Sequence, residues 1–276
     1  MITHLSKILL LIILERLKAA LESCLSEEQG GFRKDRSTVQ QILTLRLIAE
    51  KYLERGKRVY NCFVDYTKAF DSVWHAGLWA VLRSFRVPGK LINLLRNLYA
   101  KSRLAVKIGI RLGEWFTAEL GNRQGDPISP LSFISLLERV METTECNTVT
   151  HGVEIKDLRY TDDVDLLAET EDELQSLVDQ LHTSSKGFGL KFNINKSKVM
   201  VFERRTNCHP TITVDTNVLE CVPEFVYLGS LMTKDNDCSA EISRRINLAS
   251  QRLGMLKTIW SSSELTVRTK IDVLVT

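Results

Sequence analysis

Residues 153–159 and 164–168 read as two strands that meet at Tyr160-Thr161-Asp162-Asp163, a tight turn for which aspartate is well suited. A third run, residues 58–64, is rich in β-branched and aromatic side chains and leads directly into Asp65. Paired as an antiparallel sheet, these runs bring three carboxylates to one sheet edge. This convergence constrains the fold more than any other feature of the sequence.

The rest of the chain supplies helices to cover such a sheet. Leu5, Leu9, Ile13, Leu17 and Leu21 recur at helical spacing, and Val39, Ile42, Leu43, Leu45, Leu47 and Ile48 give a second helix after a Gly-Gly-Phe loop. A helix pair is expected over 78–85 and 90–99, broken at Pro88-Gly89. Two strands, 103–110 and 115–120, are expected around a turn at Gly113, and Asp126-Pro127 opens a further helix as N-cap and N1. Thr170 and Glu173 form a capping box ahead of the stripe Leu174, Leu177, Val178 and Leu181, ended by Gly187 or Gly189. Short strands follow at 198–202 and 225–228, then a helix over 240–259.

With 276 residues, 44% hydrophobic and 26% charged, the chain has the composition of a globular protein, which excludes a disordered or fibrous one. The six cysteines include no closely spaced pair, so neither a zinc knuckle nor a disulfide framework is signalled and reduced thiols are the default. No stretch has the roughly 20 apolar residues needed to span a bilayer. The formal net charge of +3 hides an uneven distribution. Residues 29–58 hold eight bases against three acids, 239–270 six against two, and 162–179 eight acids and no base. Two basic lobes flanking an acidic centre suit a protein that grips a phosphate backbone and holds divalent cations.

Magnesium takes hard oxygen ligands and is commonly held by one or two carboxylates together with substrate phosphates. Two such ions about 4 Å apart can activate a 3′-hydroxyl and stabilise departing pyrophosphate. The tetrapeptide by itself is weak evidence, because Asp-Asp also simply caps a turn. Its context is stronger. Phe63-Val64-Asp65-Tyr66-Thr67-Lys68-Ala69-Phe70-Asp71, Arg123-Gln124-Gly125-Asp126-Pro127, Tyr160-Thr161-Asp162-Asp163, the run from Gly189 through Lys196 to Lys198, and Phe225-Val226-Tyr227-Leu228-Gly229 resemble, in order and spacing, the five palm motifs of reverse transcriptases. Gln29-Gly30-Gly31-Phe32-Arg33, with Arg36, resembles the fingers motif of the non-LTR retrotransposon branch, closest to the RTE kind.

The resemblance implies an α+β right-hand polymerase with a ferredoxin-like antiparallel palm. Residues 1–58 would be partial fingers, 59–235 the palm with finger-side insertions, and 236–276 the start of a thumb. It implies RNA-directed DNA polymerase activity using Mg²⁺, or Mn²⁺ in its place, on an RNA template, a DNA primer and dNTPs. Asp65, Asp162 and Asp163 match the metal-binding catalytic triad, and Phe70 the steric gate against a ribose 2′-hydroxyl, where a plain core phenylalanine is the other option. Gln124 and Gly125 match the lining of the nascent base pair, and Arg33 and Arg36 would bind triphosphate oxygens. Lys196 or Lys198 would act near the pyrophosphate, and the sequence does not choose between them. Tyr227, Leu228 and Gly229 match the primer grip, while Arg244, Arg245, Arg252 and Lys257 would contact the nucleic-acid backbone from the thumb.

Thr161 and Asn122 depart from the family pattern, which commonly has a small apolar and an aliphatic residue there. The reading also expects a chain truncated at both ends, lacking the endonuclease domain of complete elements, with no membrane association. An intracellular location is expected, the nucleus being implied only by the retroelement resemblance. The rival expectation is an inactive relic that only binds nucleic acid.

Overall fold

The described residues, 4–123, 125–142, 144, 155–204 and 208–275, come from a computed structural model. α1 (His4–Leu21) is followed by α2 (Thr38–Glu54), which opens on a capping box: the Gln40 N–H donates to Ser37 Oγ, and the Ser37 N–H to Gln40 Oε1. β1 (Val59–Val64) comes next, then α3 (His75–Ser84) and α4 (Gly89–Ala100), with Pro88 at the N-cap of the second. The two-residue strands β2 (Lys107–Ile108) and β3 (Arg111–Leu112) precede α5 (Ser129–Met141). β4 (Asp157–Tyr160) and β5 (Asp163–Ala168) lead into α6 (Glu171–Gly187). β6 (Lys198–Phe202), β7 (Thr213–Val214), β8 (Asn217–Val218), β9 (Glu220–Cys221), β10 (Glu224–Tyr227) and β11 (Ser230–Thr233) precede α7 (Ser239–Met255), α8 (Lys257–Ser261) and α9 (Val267–Val275).

The central sheet runs β4-β5-β1-β6-β9, antiparallel except where β6 meets β9. β1 lies in its middle and is buried at every residue, so its sequence is apolar on both faces except at Asn61. Alternation reappears in what each face touches. Tyr60, Cys62 and Val64, with Leu166, Val199 and Val201, join the core built on α5 and α6. Val59 and Phe63, with Leu158, Leu167, Met200 and Phe202, join a second core closed by Leu45, Ile48 and Tyr52 of α2 and by Tyr227 and Met232. One polar pair interrupts that second face: Asn61 Nδ2 donates to both carboxyl oxygens of Asp165, each at 3.1 Å, and both residues are fully buried.

The Thr170/Glu173 capping box is present, and the stripe Leu174, Leu177, Val178 and Leu181 is buried. Thr170→Ala is expected to lower stability by about 1 kcal/mol in urea denaturation, through the lost cap. Other expectations are corrected. α1 buries Leu10, Ile13, Leu14, Leu17 and Leu21, whereas Leu5 and Leu9 are exposed, because a strict four-residue spacing drifts off a 3.6-residue helix face. The hairpin between Leu104 and Phe116 turns at Gly109, with φ +61, rather than at Gly113. Asp126 sits ahead of α5 rather than at its N-cap, which is Ile128, although its carboxylate accepts the Ile128 N–H at 2.9 Å. The helix expected over 240–259 divides at Leu256 into α7 and α8. Of the strand expected over 153–159, residues 153 and 154 lie outside the described ones, and β4 starts at Asp157.

Candidate active site

β1 ends at Val64 opposite Val164, so Asp65 and Asp163 leave the ladder at the same end of adjacent strands. Tyr160 pairs with Asp163, which leaves Thr161 and Asp162 as a two-residue hairpin loop beside them. Burial, and then the Asp162 and Asp65 charges, raise the Asp163 carboxyl to about 6 against the pull of Lys196. Asp162 is also raised, by burial first and by Asp65. The three carboxylates are therefore close enough for the Asp65 charge to act on both Asp162 and Asp163. Asp65 and Asp163 line a cavity of about 510 Å³ together with Lys196, Lys198, Leu228 and Gly229.

A loop before β6 holds this edge in place. Ser197 Oγ accepts the Asp65 N–H at 3.1 Å, and the Asp65 carbonyl accepts the Asn193 N–H at 2.8 Å. The two candidate lysines differ in availability. Lys198 Nζ is held by Glu220 and the Asn195 carbonyl, both at 2.6 Å. Lys196 is largely exposed, and its Nζ stands 4.0 Å from Asp65.

The hairpin tip is clasped from the other side by Gln29, the first residue of the fingers motif, to which neither periodicity nor charge assigns a role of its own. Fully buried, its Oε1 accepts the Thr161 N–H at 3.0 Å and the Gly31 N–H at 2.8 Å. Around it, Arg159 donates its N–H to the Glu28 carbonyl and accepts that of Gly30, so the Gln29 segment adds a parallel bridge to β4. Thr161 has φ +64, a conformation that β-branched residues rarely adopt and that the clasp helps to hold. Below it Arg159 is buried among Asp157, at 2.6 Å, Glu138, at 3.1 Å, and Ser26.

The other candidate residues lie in several places. Arg33 is buried, with Nε and Nη2 on Glu22 and Nη1 on the Ser26 and Gln29 carbonyls, and Arg36 pairs with Glu27. Neither lines the carboxylate cavity. Phe70 packs its ring 4.9 Å from that of Phe133 on α5, and its carbonyl accepts the Asn122 N–H. Gly125 has φ +80, and Gln124 lies outside the described residues. Asn122 bonds the Ser129 carbonyl through Nδ2 and accepts from the Tyr99 hydroxyl, so a polar tie replaces aliphatic packing there.

In the grip motif, Tyr227 is a core residue 5.5 Å from Phe63 and lines the cavity beside the turn Leu228-Gly229. Both turn residues have positive φ, +45 and +85, the pattern of a type I′ hairpin. Arg244 donates to the Gly229 carbonyl and to Glu241, which also holds Arg245 and the Leu231 N–H. Partial desolvation of Glu241 is outweighed by these donors, which keep its carboxyl at about 2. Arg244 and Arg245 are thus tied to the grip hairpin, while Arg252 and Lys257 are exposed. Of the eight acids in 162–179, Glu171, Asp172 and Glu173 sit in the first turn of α6, where they favour its dipole; Asp162 and Asp163 join Asp65.

The reverse transcriptase (RNA-dependent DNA polymerase) family model matches residues 1–232. The chain belongs to the reverse transcriptase family. Its relatives are polymerases of non-LTR retrotransposons. The domain is 32% identical over 137 residues to the retrovirus-related Pol polyprotein of the type-1 retrotransposable element R2 of Nasonia vitripennis, covering 49% of this chain and 13% of that protein. It is 26% identical over 243 residues to the RNA-directed DNA polymerase of the mobile element jockey of Drosophila funebris, covering 85% of this chain and 26% of that protein. The chain thus spans a minor part of these relatives. The fold of this reverse transcriptase domain is similar to that of the telomerase of Candida tropicalis solved with a fragment of telomeric RNA. The TM-score is 0.59 at 15% identity, covering 86% of this chain and 38% of that one.

Proposed function

We propose that this reverse transcriptase domain is an RNA-directed DNA polymerase that extends a DNA primer on an RNA template with dNTPs. The observation that carries the reading is the placement of Asp65, Asp162 and Asp163 at one sheet edge, where the Asp65 charge raises both of the others. Such a set of hard oxygen donors is relieved by a divalent cation. Among the described residues no three His, Cys, Asp or Glu side chains form a group that could hold a metal ion by themselves. Mg²⁺ needs only one or two carboxylates when substrate phosphates complete its shell. Held by these aspartates, Mg²⁺, or Mn²⁺ in its place, would supply Lewis-acid stabilisation of the transferring phosphoryl group.

The protein's own groups supply position and charge. Lys196, exposed and next to Asp65, would counter charge gathering on the departing pyrophosphate, a role for which Lys198 is less free because Glu220 holds it. The Leu228-Gly229 turn would seat the primer end by its backbone, since its side of the cavity faces Asp65 and Asp163. Phe70, Gly125 and Gln124 would frame the incoming nucleotide. Arg252 and Lys257 would give sequence-independent phosphate contacts that weaken with salt. Arg33 and Arg36 would reach triphosphate oxygens only by leaving Glu22 and Glu27.

Primer extension on an RNA template with an annealed DNA oligonucleotide tests the reading. Asp162→Asn and Asp163→Asn are each expected to cut extension by about 10²-fold or more, while salt-sensitive RNA binding persists. A folded wild-type chain that binds RNA but extends nothing, with or without added Mg²⁺ or Mn²⁺, would overturn it in favour of a binding-only relic.

A further inference from the structure

We propose that a basic, aromatic-floored groove between α3, α4 and the 101–121 segment binds unpaired, single-stranded RNA, a site separate from the carboxylate cavity. The inference rests on the polymerase reading above, and it names where the template would run before it is paired.

Two hollows, of about 810 and about 750 Å³, share His75, Tyr99 and Ala118 in their walls and so form one continuous groove. Its floor is rigid. His75, Trp79 and Tyr99 pack edge-on or tilted at 4.9–6.3 Å, and His75 Nε2 is fixed 2.7 Å from the Gly121 carbonyl. At one end stands Trp74, a residue 45% exposed. Its ring is pre-positioned: a Cβ at Gly77 would fall 2.7 Å from it, so only glycine lets it lie against α3, and its backbone is bridged to Leu120. At the other end stand Arg123 and Asn122, the latter bonded through its N–H to the carbonyl of Phe70, five residues after Asp65.

Charge decides the class of ligand. Arg96, Lys7, Arg103 and Arg123 line the groove against one acid, Glu119. Among the described residues, Arg96, Lys7 and Arg103 pair with no carboxylate, unlike Arg33, Arg36 and Arg244; Arg123 has Asp126 at 3.9 Å. A cationic groove with a pre-set aromatic platform is the arrangement by which proteins track a single strand, stacking bases on rings and phosphates on cations. Duplex has no free base face to offer Trp74, so the preference is for the unpaired strand.

The test is fluorescence anisotropy with a labelled DNA primer annealed to RNA, either blunt or carrying a 12-nucleotide 5′ uridine overhang on the RNA. The overhang is expected to tighten wild-type binding. Trp74→Ala should remove roughly 5- to 150-fold of affinity for the overhang substrate and leave the blunt one unchanged, with Trp74→Phe restoring most of it. Arg96→Ala with Arg103→Ala should lower the salt slope by roughly 1.4, at about 0.7 per cation. If Trp74→Ala unfolds, the arginine pair, both exposed, carries the test. Equal wild-type affinity for both substrates, or an unchanged overhang-to-blunt ratio in the variants, would overturn the proposal, as would displacement of the overhang by poly-glutamate at equal charge concentration. Binding is read without turnover, so a chain that fails to extend primers leaves this result intact.

Discussion

Gly31→Ala is expected to slow primer extension by about 10²-fold and to destabilise the domain, although it adds a single methyl group to a loop. A Cβ there would lie 2.4 Å from the Thr161 nitrogen, 2.7 Å from its Oγ1 and 2.9 Å from its Cα. These are mostly backbone atoms of a two-residue loop and cannot swing aside. Either the Gln29 clasp opens or the hairpin tip moves, and Asp162 and Asp163 move with it. Overpacking of this kind costs about 1–3 kcal/mol, and a shift of about 1 Å at the reacting centre costs about 10²-fold in rate. Gln29→Ala should act in the same direction by leaving the buried Thr161 and Gly31 N–H groups without their acceptor. The check is kcat beside the urea midpoint: extension at the wild-type rate by Gly31→Ala would show that the clasp does not position the carboxylates.

Arg159→Met should cost about 3–5 kcal/mol, since it strands the buried Asp157 and Glu138 carboxylates. Arg159→Lys should rescue little, because one ammonium cannot match the guanidinium fork. The pH dependence fixes the mechanism. Burial already raises both carboxyls against the opposing charge of Arg159, and without that charge they rise further. A carboxyl whose folded pKa exceeds its unfolded value favours folding when protonated. The variant's deficit should therefore be smallest at acid pH, near the unfolded carboxyl range of about 4, and widen as pH climbs through the raised folded values. Thermal melts of both proteins at pH 5 and pH 8 measure this; a deficit independent of pH would place the loss in packing instead.

Much of this was legible because it is periodic or punctuated. β1, the Thr170 cap and the α6 stripe are written in side-chain type and spacing, and the aspartates stand where strands end. What the sequence left out lacks such a signature. Gln29 acts through one carboxamide in a loop: the fingers motif contains it without giving it a role, and the glycines after it read as a turn rather than as room for Thr161. Arg33 and Arg244 look like free cations until their acids, 11 and 3 residues away, fold onto them. The turn of the Leu104–Phe116 hairpin falls at Gly109 rather than Gly113 because both glycines are equally good turn formers, and cross-strand pairing decides between them.

Asn61 and Asp165 have a consequence for how the chain finds its strand register. Slipping β5 by one residue against β1 would turn its apolar side chains to the wrong face, but a two-residue slip would keep every face correct, and the Val/Leu-rich strands would pack nearly as well. Only the carboxamide would then miss Asp165, leaving a carboxyl in an apolar core without its donor. The pair thus favours the native register of β5 on β1 over its two-residue slip, though neither residue lines the carboxylate cavity. Over evolutionary time the two positions should drift only together, a constraint on inheritance imposed by folding rather than by chemistry.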